Sequence, residues 1–256
     1  MGKTTLALNQ PVYLPWLGYF EQIARVDQFV FFDDAQYTKQ DWRNRNQILA
    51  PDGPIFLTVP IRRKNLGTAI NQIQIDDTQP WVRKHLNSIR MCYGRAPYFD
   101  ETFGLVSEIL QRRIGQISDL DVALTQAITD ALGLITPTSL SSQIPRNPDF
   151  YDQNIPCDLD DRTMQKNLRV IEVCRHHGAD VYYSGARAHD YIDLDLFKHF
   201  GIDVVFQDYA HPTYQQQRPE FSTHMSIIDL LMNLGPGAKA VLLSSPFTDE
   251  RFKNVT

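Results

Sequence analysis

The fold is decided by residues 8–46, which read LNQPVYLPWLGYFEQIARVDQFVFFDDAQYTKQDWRNRN. An apolar run over residues 5–10 predicts a strand, residues 18–26 predict a helix, and residues 29–33 predict a second strand. A strand, a helix and a strand in such a short stretch form a βαβ unit, whose strands are parallel and whose crossover is right-handed. We therefore predict an α/β protein with a parallel central sheet built of βαβ units.

The carboxyl-terminal edge of this predicted sheet is rich in polar and aromatic side chains. Open α/β sheets bind ligands beyond the carboxyl ends of their strands. The first unit is expected to place there Gln10, Tyr13, Trp16, Asp33, Asp34 and Gln36. The polar segment 39–48 adds Arg43, Asn44 and Arg45. Arginines suit a carboxylate or phosphate because they present a planar donor fork, although one of them could instead pair with Asp33 or Asp34 in a solvated turn.

The middle third of the chain is expected to be mainly helical. Residues 54–61 and 69–75 predict strands, and helices are predicted from about residue 78 to 94, over 99–114 and over 120–132. This helical section, residues 78–135, carries few candidate chemical groups, so we interpret it as scaffold or lid. Residues 134–161 are rich in Thr, Ser, Pro, Asn and Asp and predict a long connection, which is often functional or mobile.

The last third returns to α/β alternation. Helices are predicted over residues 166–177, up to residue 200 and over 225–234, with strands over 181–183 and 202–206. These strands deliver a second polar set to the sheet edge: Ser184, Gly185, Arg187, Tyr191, Gln207, Tyr209, His211 and Tyr214. We expect segments 10–46 and 184–214 to converge on one pocket. Asp229 lies between apolar neighbours in the last helix and should need a buried partner.

Composition narrows the class of protein. The chain has 256 residues and a net charge of -5, so we expect a single domain whose main partner is not nucleic acid. No apolar run is long enough to predict a membrane span, and the amino terminus lacks signal-peptide features, so we expect a cytoplasmic protein. The three cysteines form no CxxC pair and predict no metal site. The oligomeric state stays open.

Several motifs spread along the chain resemble one family. They are QPVYLPWLGYFEQI, DQFVFFDDAQYTKQDWRNRNQI, TVPI, YYSG followed by YID, GIDVVFQDYAHPTY and SIIDLLMNLGP. Together they are similar to the WbqC-like protein family and cover nearly the whole chain. Members resemble proteins encoded with bacterial surface-polysaccharide (O-antigen) genes. The resemblance implies that pathway, and with it the suggested transfer of glycine or another amino-acyl group to a sugar.

A weaker resemblance concerns the fold. The first strand, its loop, the glycine-led helix and the second strand are similar to the Rossmann-like nucleotidyltransferases that carry a His-x-Gly-His loop. In those enzymes histidines at the helix start steady the phosphates, and a later Ser-rich loop closes the site. Gln10, Pro15, Trp16 and Gly18 occupy the loop here, without either histidine, and Ser184-Gly185 could stand in the later loop.

Three functions remain open from the sequence. The first is acyl or amino-acyl transfer onto a nucleotide- or lipid-linked sugar. Asp33 or His211 would accept the proton, and the backbone N–H groups of Ser184 and Gly185 would stabilise the oxyanion. A carboxylate or diphosphate would be held by Arg43, Arg45 and Arg187. Flat faces for a sugar or base would come from Tyr13, Trp16 and Tyr191. The second is nucleotidyl transfer with ATP and Mg²⁺ near Asp33 or Asp34. The third is non-catalytic binding of a sugar nucleotide or other anionic small molecule.

Overall fold

The computed structural model describes residues 2–39, 41–62, 65, 67–151, 159–247 and 249–252. Its strands are β1 (Thr5–Asn9), β2 (Gln28–Phe31), β3 (Arg45–Ala50), β4 (Gly53–Thr58), β5 (Thr138–Leu140), β6 (Val181–Ser184) and β7 (Asp203–Phe206). Five of them form a parallel sheet in the order β5-β2-β1-β6-β7, and β3 pairs with β4 in an antiparallel hairpin.

The parallel βαβ unit predicted from residues 5–34 is confirmed. β1 pairs in parallel with β2, with Leu8 opposite Val30, and on its other side with β6, with Leu6 opposite Tyr182. Both strands are a residue or two shorter at their carboxyl ends than predicted. Their side chains are apolar and buried on both faces, as a parallel sheet covered on both sides requires.

The helical middle section is also confirmed. The helices, in chain order, are α1 (Leu17–Arg25), α2 (Trp81–Tyr93), α3 (Phe99–Gln111), α4 (Ile117–Ala131), α5 (Pro148–Tyr151), α6 (Asp161–His176), α7 (Leu194–His199), α8 (Ile227–Leu234) and α9 (Ala238–Leu242). No helix within the described ranges is both long and apolar enough to cross a bilayer.

Two apolar clusters cover the two faces of the sheet. Ala7, Phe29 and Phe31 belong to a large cluster that also contains side chains of α1, the middle helices and α8. Leu8 and Val30, whose side chains point the other way, belong to a second cluster with α6 and α7. The sheet therefore lies between two helical layers, and only its edges and strand ends remain for polar side chains.

Three predictions about the connections were wrong. Residues 69–75 form a 3-10 turn at Ile70–Gln72 rather than a strand, because Ile70 and Ile73, three residues apart, bury together in such a turn. The partner of β4 is β3, which begins inside the segment expected to be an irregular polar loop. The long connection 134–161 contains β5 and α5, whose short polar stretches give no periodic signal, while its residues 152–158 lie outside the described residues.

A pair of side chains holds the start of β1 against the start of β2. The backbone N–H and the hydroxyl of Thr5 both donate to Oδ2 of Asp27, at 2.9 and 2.8 Å. The N–H of Asp27 donates in return to the Thr5 hydroxyl oxygen at 3.0 Å. Because Thr5 is fully buried, these bonds are shielded from water and fix the first parallel pair.

Replacement of Thr5 tests this contact. Thr5→Val keeps the shape of the side chain but removes the hydroxyl, so the free energy of unfolding should fall by about 1–2 kcal/mol in urea titrations. The control is Thr4→Val, because the hydrogen bonds described for Thr4, with Asp180 and Val181, are made by its backbone groups. Equal stability of the two variants would show that the Thr5 hydroxyl does not hold the strand pair.

Candidate functional site

The order of the strands places the sheet's crevice between β1 and β6. Numbered along the chain, the five parallel strands run 3-2-1-4-5, the doubly wound arrangement, whose order reverses between the first and fourth strands. Gln10 follows β1 at this point, and Gly185 follows β6. Segments 10–46 and 184–214 meet in a hydrogen bond from Gln22 Nε2 to Gln207 Oε1, at 3.1 Å, while their convergence on one pocket stays a prediction.

Gln207 is used to fasten α1 to the sheet. Its Nε2 donates to the carbonyl oxygen of Gly18 and to Oε2 of Glu21, both at 2.7 Å, while its Oε1 accepts from Gln22. Arg25 donates to the other oxygen of Glu21 at 3.1 Å. Burial raises the pKa of Glu21, opposed by the bonds from Gln207 and Arg25. Gln207, predicted to bind substrate, therefore has its carboxamide occupied by protein groups.

Asp33, predicted as a proton acceptor, is surrounded by protein donors. Oδ1 accepts from the N–H of Ser142 at 2.9 Å and from the hydroxyl of Ser141 at 3.1 Å. Oδ2 accepts from the hydroxyl of Ser142 at 2.5 Å and from Nδ2 of Asn71 at 3.2 Å. A carboxylate offers about four acceptor positions; three donors here serve Asp33 alone, and the fourth, the single Ser141 hydroxyl proton, is shared with Asp34. The carboxylate of Asp33 therefore holds the loop after β5 to the end of β2.

Asp34 also bonds to the loop after β5. It accepts from the Ser141 hydroxyl at 2.5 Å and from guanidinium nitrogens of Arg169 and Arg146, each at 3.0 Å. Burial alone would raise the pKa of Asp34, but the Ser141 bond and the two guanidiniums outweigh it and lower the pKa. With two cations already paired to it, Asp34 does not fit the proposed Mg²⁺ ligand. Its arginine partners are therefore not Arg43 or Arg45.

Gln36 and Ser184 also have protein partners. Oε1 of Gln36 accepts from Arg162 at 3.3 Å on the exposed surface. The Ser184 hydroxyl is buried and donates to the hydroxyl of Tyr182 at 3.2 Å, whose ring stacks on Phe197 of α7. The Ser184 side chain therefore faces the α7 side of the sheet, in a set of contacts separate from that of Asp33.

Trp16 covers the start of α1. Its indole ring stacks with the rings of His224 and His211, at centroid distances of 5.3 and 6.3 Å, and meets Tyr209 edge-on at 5.8 Å. A Cβ atom added at Gly18 would lie 2.3 Å from this indole, so only glycine allows the ring to lie against the helix. The faces of Trp16 are therefore largely used in packing.

His211, the second predicted proton acceptor, has both ring nitrogens engaged. Nδ1 donates to the carbonyl oxygen of Pro212 at 2.8 Å, since a carbonyl can only accept, and Nε2 accepts the N–H of His224 at 3.2 Å. Burial lowers the pKa of His211, opposed by the Pro212 bond and assisted by the charge of His224. His211 is thus a neutral ring that holds two loops together.

Tyr214 also makes a structural contact. Its hydroxyl donates to Oδ2 of the fully buried Asp229 at 2.7 Å, and Gln216 Nε2 donates to the same oxygen at 2.8 Å. The prediction that Asp229 needs a buried partner is confirmed. A cleft of about 470 Å³ beside Tyr214 is lined by residues 213–219 and Phe221. These residues come from one loop, so the cleft brings no side chains from the strand ends together.

The arginine segment meets the last third of the chain. Arg43 lies 3.4 Å from Asp41, and its charge also reaches Tyr191. Burial alone would raise the pKa of Asp41. The charge of Arg43, hydrogen bonds from neighbouring residues and the charge of Arg187 outweigh burial and lower this pKa. The charges of Arg43 and Arg187 therefore both act on Asp41, and binding of an anion by these arginines stays a prediction.

The flanking residues of this segment are held by packing. Asn44 accepts a hydrogen bond from the Tyr37 hydroxyl at 2.9 Å and donates to the carbonyl oxygen of Val59 at 2.8 Å. The Arg45 guanidinium lies over the ring of Phe56, 4.7 Å from its centroid. Asn44 therefore fixes the backbone beside Arg43, while Arg45 has a cation–π contact on the hairpin.

The sequence missed Asp121, the most unusual polar residue of this region. It lies on α4, is fully buried, and neither carboxyl oxygen has a hydrogen-bond partner in the part of the chain that the structure describes. The buried hydroxyl of Thr125, four residues later on the same helix face, has none among these residues either. Burial raises the pKa of Asp121 well above its usual range, and the charge of Arg43 opposes the shift.

Several observations place Asp121 at the carboxyl-terminal edge of the sheet. α4 packs against the turn at Ile70–Gln72, whose Asn71 N–H donates to the carbonyl oxygen of Asp33 at 3.0 Å. The charge of Asp121 adds to burial in raising the pKa values of three tyrosines, Tyr13, Tyr19 and Tyr37.

Two further buried atoms nearby have no hydrogen-bond partner among the described residues. They are Oε1 of Gln10, whose backbone carbonyl accepts from the Tyr19 hydroxyl, and Nε of Arg43. Folded proteins rarely leave buried polar atoms unpaired, because each costs about 1–3 kcal/mol. We call the group Gln10, Tyr13, Arg43, Asp121 and Thr125 the Asp121 site, and it is the candidate functional site.

The sequence did contain a signal for this site. Ile117, Leu124 and Ile128 mark the buried face of α4, and the helical period places Asp121 and Thr125 on that same face. A carboxylate on an apolar helix face needs a partner or a function. The prediction of the middle section as scaffold or lid ignored this residue, because no recognised motif surrounds it.

Comparisons with known proteins agree with the motifs. The model of the WbqC-like protein family matches residues 10–241. An uncharacterized protein of Mycobacterium tuberculosis (strain ATCC 25618 / H37Rv), Rv1507c, is 34% identical over 236 residues, which are 91% of this chain and 95% of that relative. No solved structure matches the chain.

Replacement of Arg169 tests whether its bonds to Asp34 and to the loop after β5 stabilise the fold. Arg169 is buried and also donates to Glu172 at 2.6 Å and to the carbonyl oxygen of Ser141 at 2.6 Å. Arg169→Ala should lower the free energy of unfolding by about 3 kcal/mol, the low end for a broken buried ion pair, because Asp34 keeps Arg146. Lys166→Ala, at an exposed position of α6, should leave the urea midpoint nearly unchanged. A midpoint shift no larger than that control would contradict the structural role.

Asp121→Asn should stabilise the protein in a pH-dependent way. Because the pKa of Asp121 is raised in the folded state, the unfolded chain ionises first as pH rises above about 4, and stability is lost. Asparagine does not ionise, so the variant does not lose this stability. Its free energy of unfolding should equal that of the wild type below pH 4 and exceed it by about 1–3 kcal/mol at pH 7. Unfolding free energies measured from pH 3.5 to 7.5 test this. Asp130→Asn, exposed on the same helix, should show no such trend.

Proposed function

The chain belongs to the WbqC-like protein family, and we propose that it transfers an acyl or amino-acyl group onto a nucleotide- or lipid-linked sugar during bacterial surface-polysaccharide synthesis. One observation favours a catalytic function over non-catalytic binding. Asp121 is a fully buried carboxyl group with no hydrogen-bond partner among the described residues, within electrostatic range of Arg43. Such an arrangement costs stability and is typical of active sites.

Asp121 is suited to accept the proton of the attacking group. Acyl transfer requires an amine or hydroxyl to lose a proton as it attacks the carbonyl carbon of an activated acyl donor. A carboxyl group with a raised pKa is a stronger base than an exposed one, and it works best when that pKa approaches the working pH. Asp121 therefore takes the role that the sequence analysis gave to Asp33 or His211, both of which are occupied by structural bonds.

Arg43 is suited to stabilise negative charge in the same reaction. Its Nε is buried without a hydrogen-bond partner among the described residues, and Asp41 engages only the outer part of the guanidinium, at 3.4 Å. A free N–H directed at a developing oxyanion or at a phosphate supplies electrostatic stabilisation. In this proposal Arg43 takes the oxyanion role for which the sequence suggested the backbone N–H groups of Ser184 and Gly185. Tyr191, 45% exposed, offers an open ring face beside Arg43 for a sugar or base.

A nucleotidyl-transfer function is the second candidate, favoured by the strand order 3-2-1-4-5. In such folds the phosphates lie at the start of the first helix. Here the Trp16 indole lies against Gly18, and the N–H of Ile227 bonds to Pro15, so the start of α1 is covered by protein. Release of pyrophosphate from ATP in the presence of sugars or amino acids, with Mg²⁺ added, would support this candidate over acyl transfer.

The direct experiment is an acyl-transfer assay followed by mass spectrometry. Sugar nucleotides would be mixed with acyl and amino-acyl thioesters or adenylates, and the product identified by its mass gain. Asp121→Asn should lower kcat by about a hundredfold or more, as loss of a general base does, whereas Asp130→Asn should match the wild type. Sugar binding without product in any combination would favour the non-catalytic alternative.

Arg43→Lys and Arg45→Lys test the anion clamp. Lysine keeps the charge but loses the planar fork, so each variant of an arginine that holds the ligand should bind UDP-glucose, as an anionic probe, about tenfold more weakly in calorimetric titrations. Thermal melting should barely change. The matched control is Arg162→Lys on the exposed surface of α6. Lower melting temperature with unchanged affinity would assign the arginines to structure, and unchanged affinity in both variants would eliminate the clamp.

A further inference from the structure

The phenol protons of Tyr13, Tyr19 and Tyr37 are all directed at acceptors other than Asp121. Tyr19 lies 3.1 Å from the carbonyl oxygen of Gln10, and a carbonyl only accepts, so the tyrosine donates. Tyr37 donates to Oδ1 of Asn44 at 2.9 Å. The orientation of that amide is set by its Nδ2, which donates to the carbonyl oxygen of Val59 at 2.8 Å. Two of the three phenols therefore have no proton left for Asp121.

The hydroxyl proton of the third tyrosine, Tyr13, is directed at a histidine. Nε2 of His85 lies 3.1 Å from the carbonyl oxygen of Thr58, so this nitrogen carries the proton. Burial lowers the pKa of His85 to about 4, which leaves the ring neutral at pH 7 and its Nδ1 an acceptor. Nδ1 lies 2.9 Å from the Tyr13 hydroxyl, so Tyr13 donates to it. The Thr58 carbonyl thus fixes the direction of the Tyr13 proton.

What remains around Asp121 is rich in acceptors. Its two carboxyl oxygens have no hydrogen-bond partner among the described residues, and the Thr125 hydroxyl, which has none there either, can accept as well as donate. Arg43 is the one cation recorded as acting on Asp121 among the described residues, and it is shared with Asp41. A buried, acceptor-rich and aromatic environment is complementary to a cation that carries several N–H donors, and the charge of a bound cation favours the ionised form of Asp121.

We propose that the Asp121 site binds a primary ammonium group, so that the acceptor in the proposed transfer is a sugar amine and not a sugar hydroxyl. A primary ammonium carries one positive charge and three N–H donors, whereas a hydroxyl carries one donor and no charge. A ligand with an ammonium group near an anionic group would reach both Asp121 and Arg43. The ammonium assignment stands on the contacts of this site alone, while its role as acceptor rests on the proposed function.

The proposed transfer requires only the bound ammonium group, Asp121 and the activated acyl donor. The bound ammonium gives one proton to the Asp121 carboxylate and becomes a neutral amine, whose lone pair attacks the carbonyl carbon of the activated acyl donor. A C–N bond forms, the bond from that carbon to the thiol or phosphate leaving group breaks, and a second nitrogen proton leaves with the departing group. The product is an amide, and Asp121 returns its proton to solvent.

Binding of matched sugars tests the ammonium assignment. Glucosamine, glucose and N-acetylglucosamine differ in bearing an ammonium, a hydroxyl or an amide at one position. Titration calorimetry at pH 7 should show glucosamine binding on the order of tenfold or more tighter than the other two, equivalent to about 1.4 kcal/mol. Asp121→Asn should abolish the difference, Thr125→Val should reduce it several-fold, and Asp130→Asn should retain it.

Thermal melts with small cations supply the second readout. Methylammonium chloride should raise the melting temperature of the wild type more than equal potassium chloride, and should give no such difference in Asp121→Asn. Equal effects of the two salts, no preference for glucosamine, or a preference that survives in Asp121→Asn would each overturn the assignment. Transfer to hydroxyl sugars without amine preference would leave the proposed function intact and refute this inference, whereas amine binding without transfer would do the reverse.

Discussion

The parallel pairing of β1 with both β2 and β6 is the constraint on which the rest of the structure depends. A central strand buried on both faces must carry apolar side chains, so the polar residues of this region can lie only beyond the strand ends. The order of the strands reverses at β1, and doubly wound sheets bind their ligands at the carboxyl end of that point. The tie between Thr5 and Asp27 holds the opposite end of the same pair.

The polar residues at this edge fall into two groups, those whose hydrogen-bonding atoms have protein partners and those whose atoms have none among the described residues. The carboxylate of Asp33 has three protein donors of its own and shares the Ser141 hydroxyl with Asp34. Gln207 and His211 are similarly engaged by neighbouring loops and by α1. These residues hold the loops to the sheet. Asp121 is different, because its desolvation is not offset by any hydrogen bond from the described residues. A fold with two large apolar clusters can tolerate such a cost, and proteins commonly accept it where they bind or react.

The three tyrosines whose pKa values are raised by the charge of Asp121 do not supply it with a donor. Tyr13, Tyr19 and Tyr37 each have a hydroxyl proton that could bond to a carboxylate, yet each proton is drawn to an acceptor that cannot itself donate back. The neutral tautomer of His85, set by the Thr58 carbonyl, completes this arrangement. The environment is thereby prepared for a donor supplied by a ligand, and the ligand need not displace any existing bond to Asp121.

The sequence by itself determined the α/β class, the parallel βαβ unit, the helical middle section and the family, because these follow from local periodicity and from motifs contiguous in the chain. It also predicted that the two polar segments meet. It did not distinguish filled from unfilled polar groups: the partners of Asp33, Ser141 and Ser142, lie more than a hundred residues away. Asp121 and Arg43 are likewise distant in sequence. Only the tertiary structure decides which buried carboxyl group meets donors, since that depends on which helix packs over which strand end.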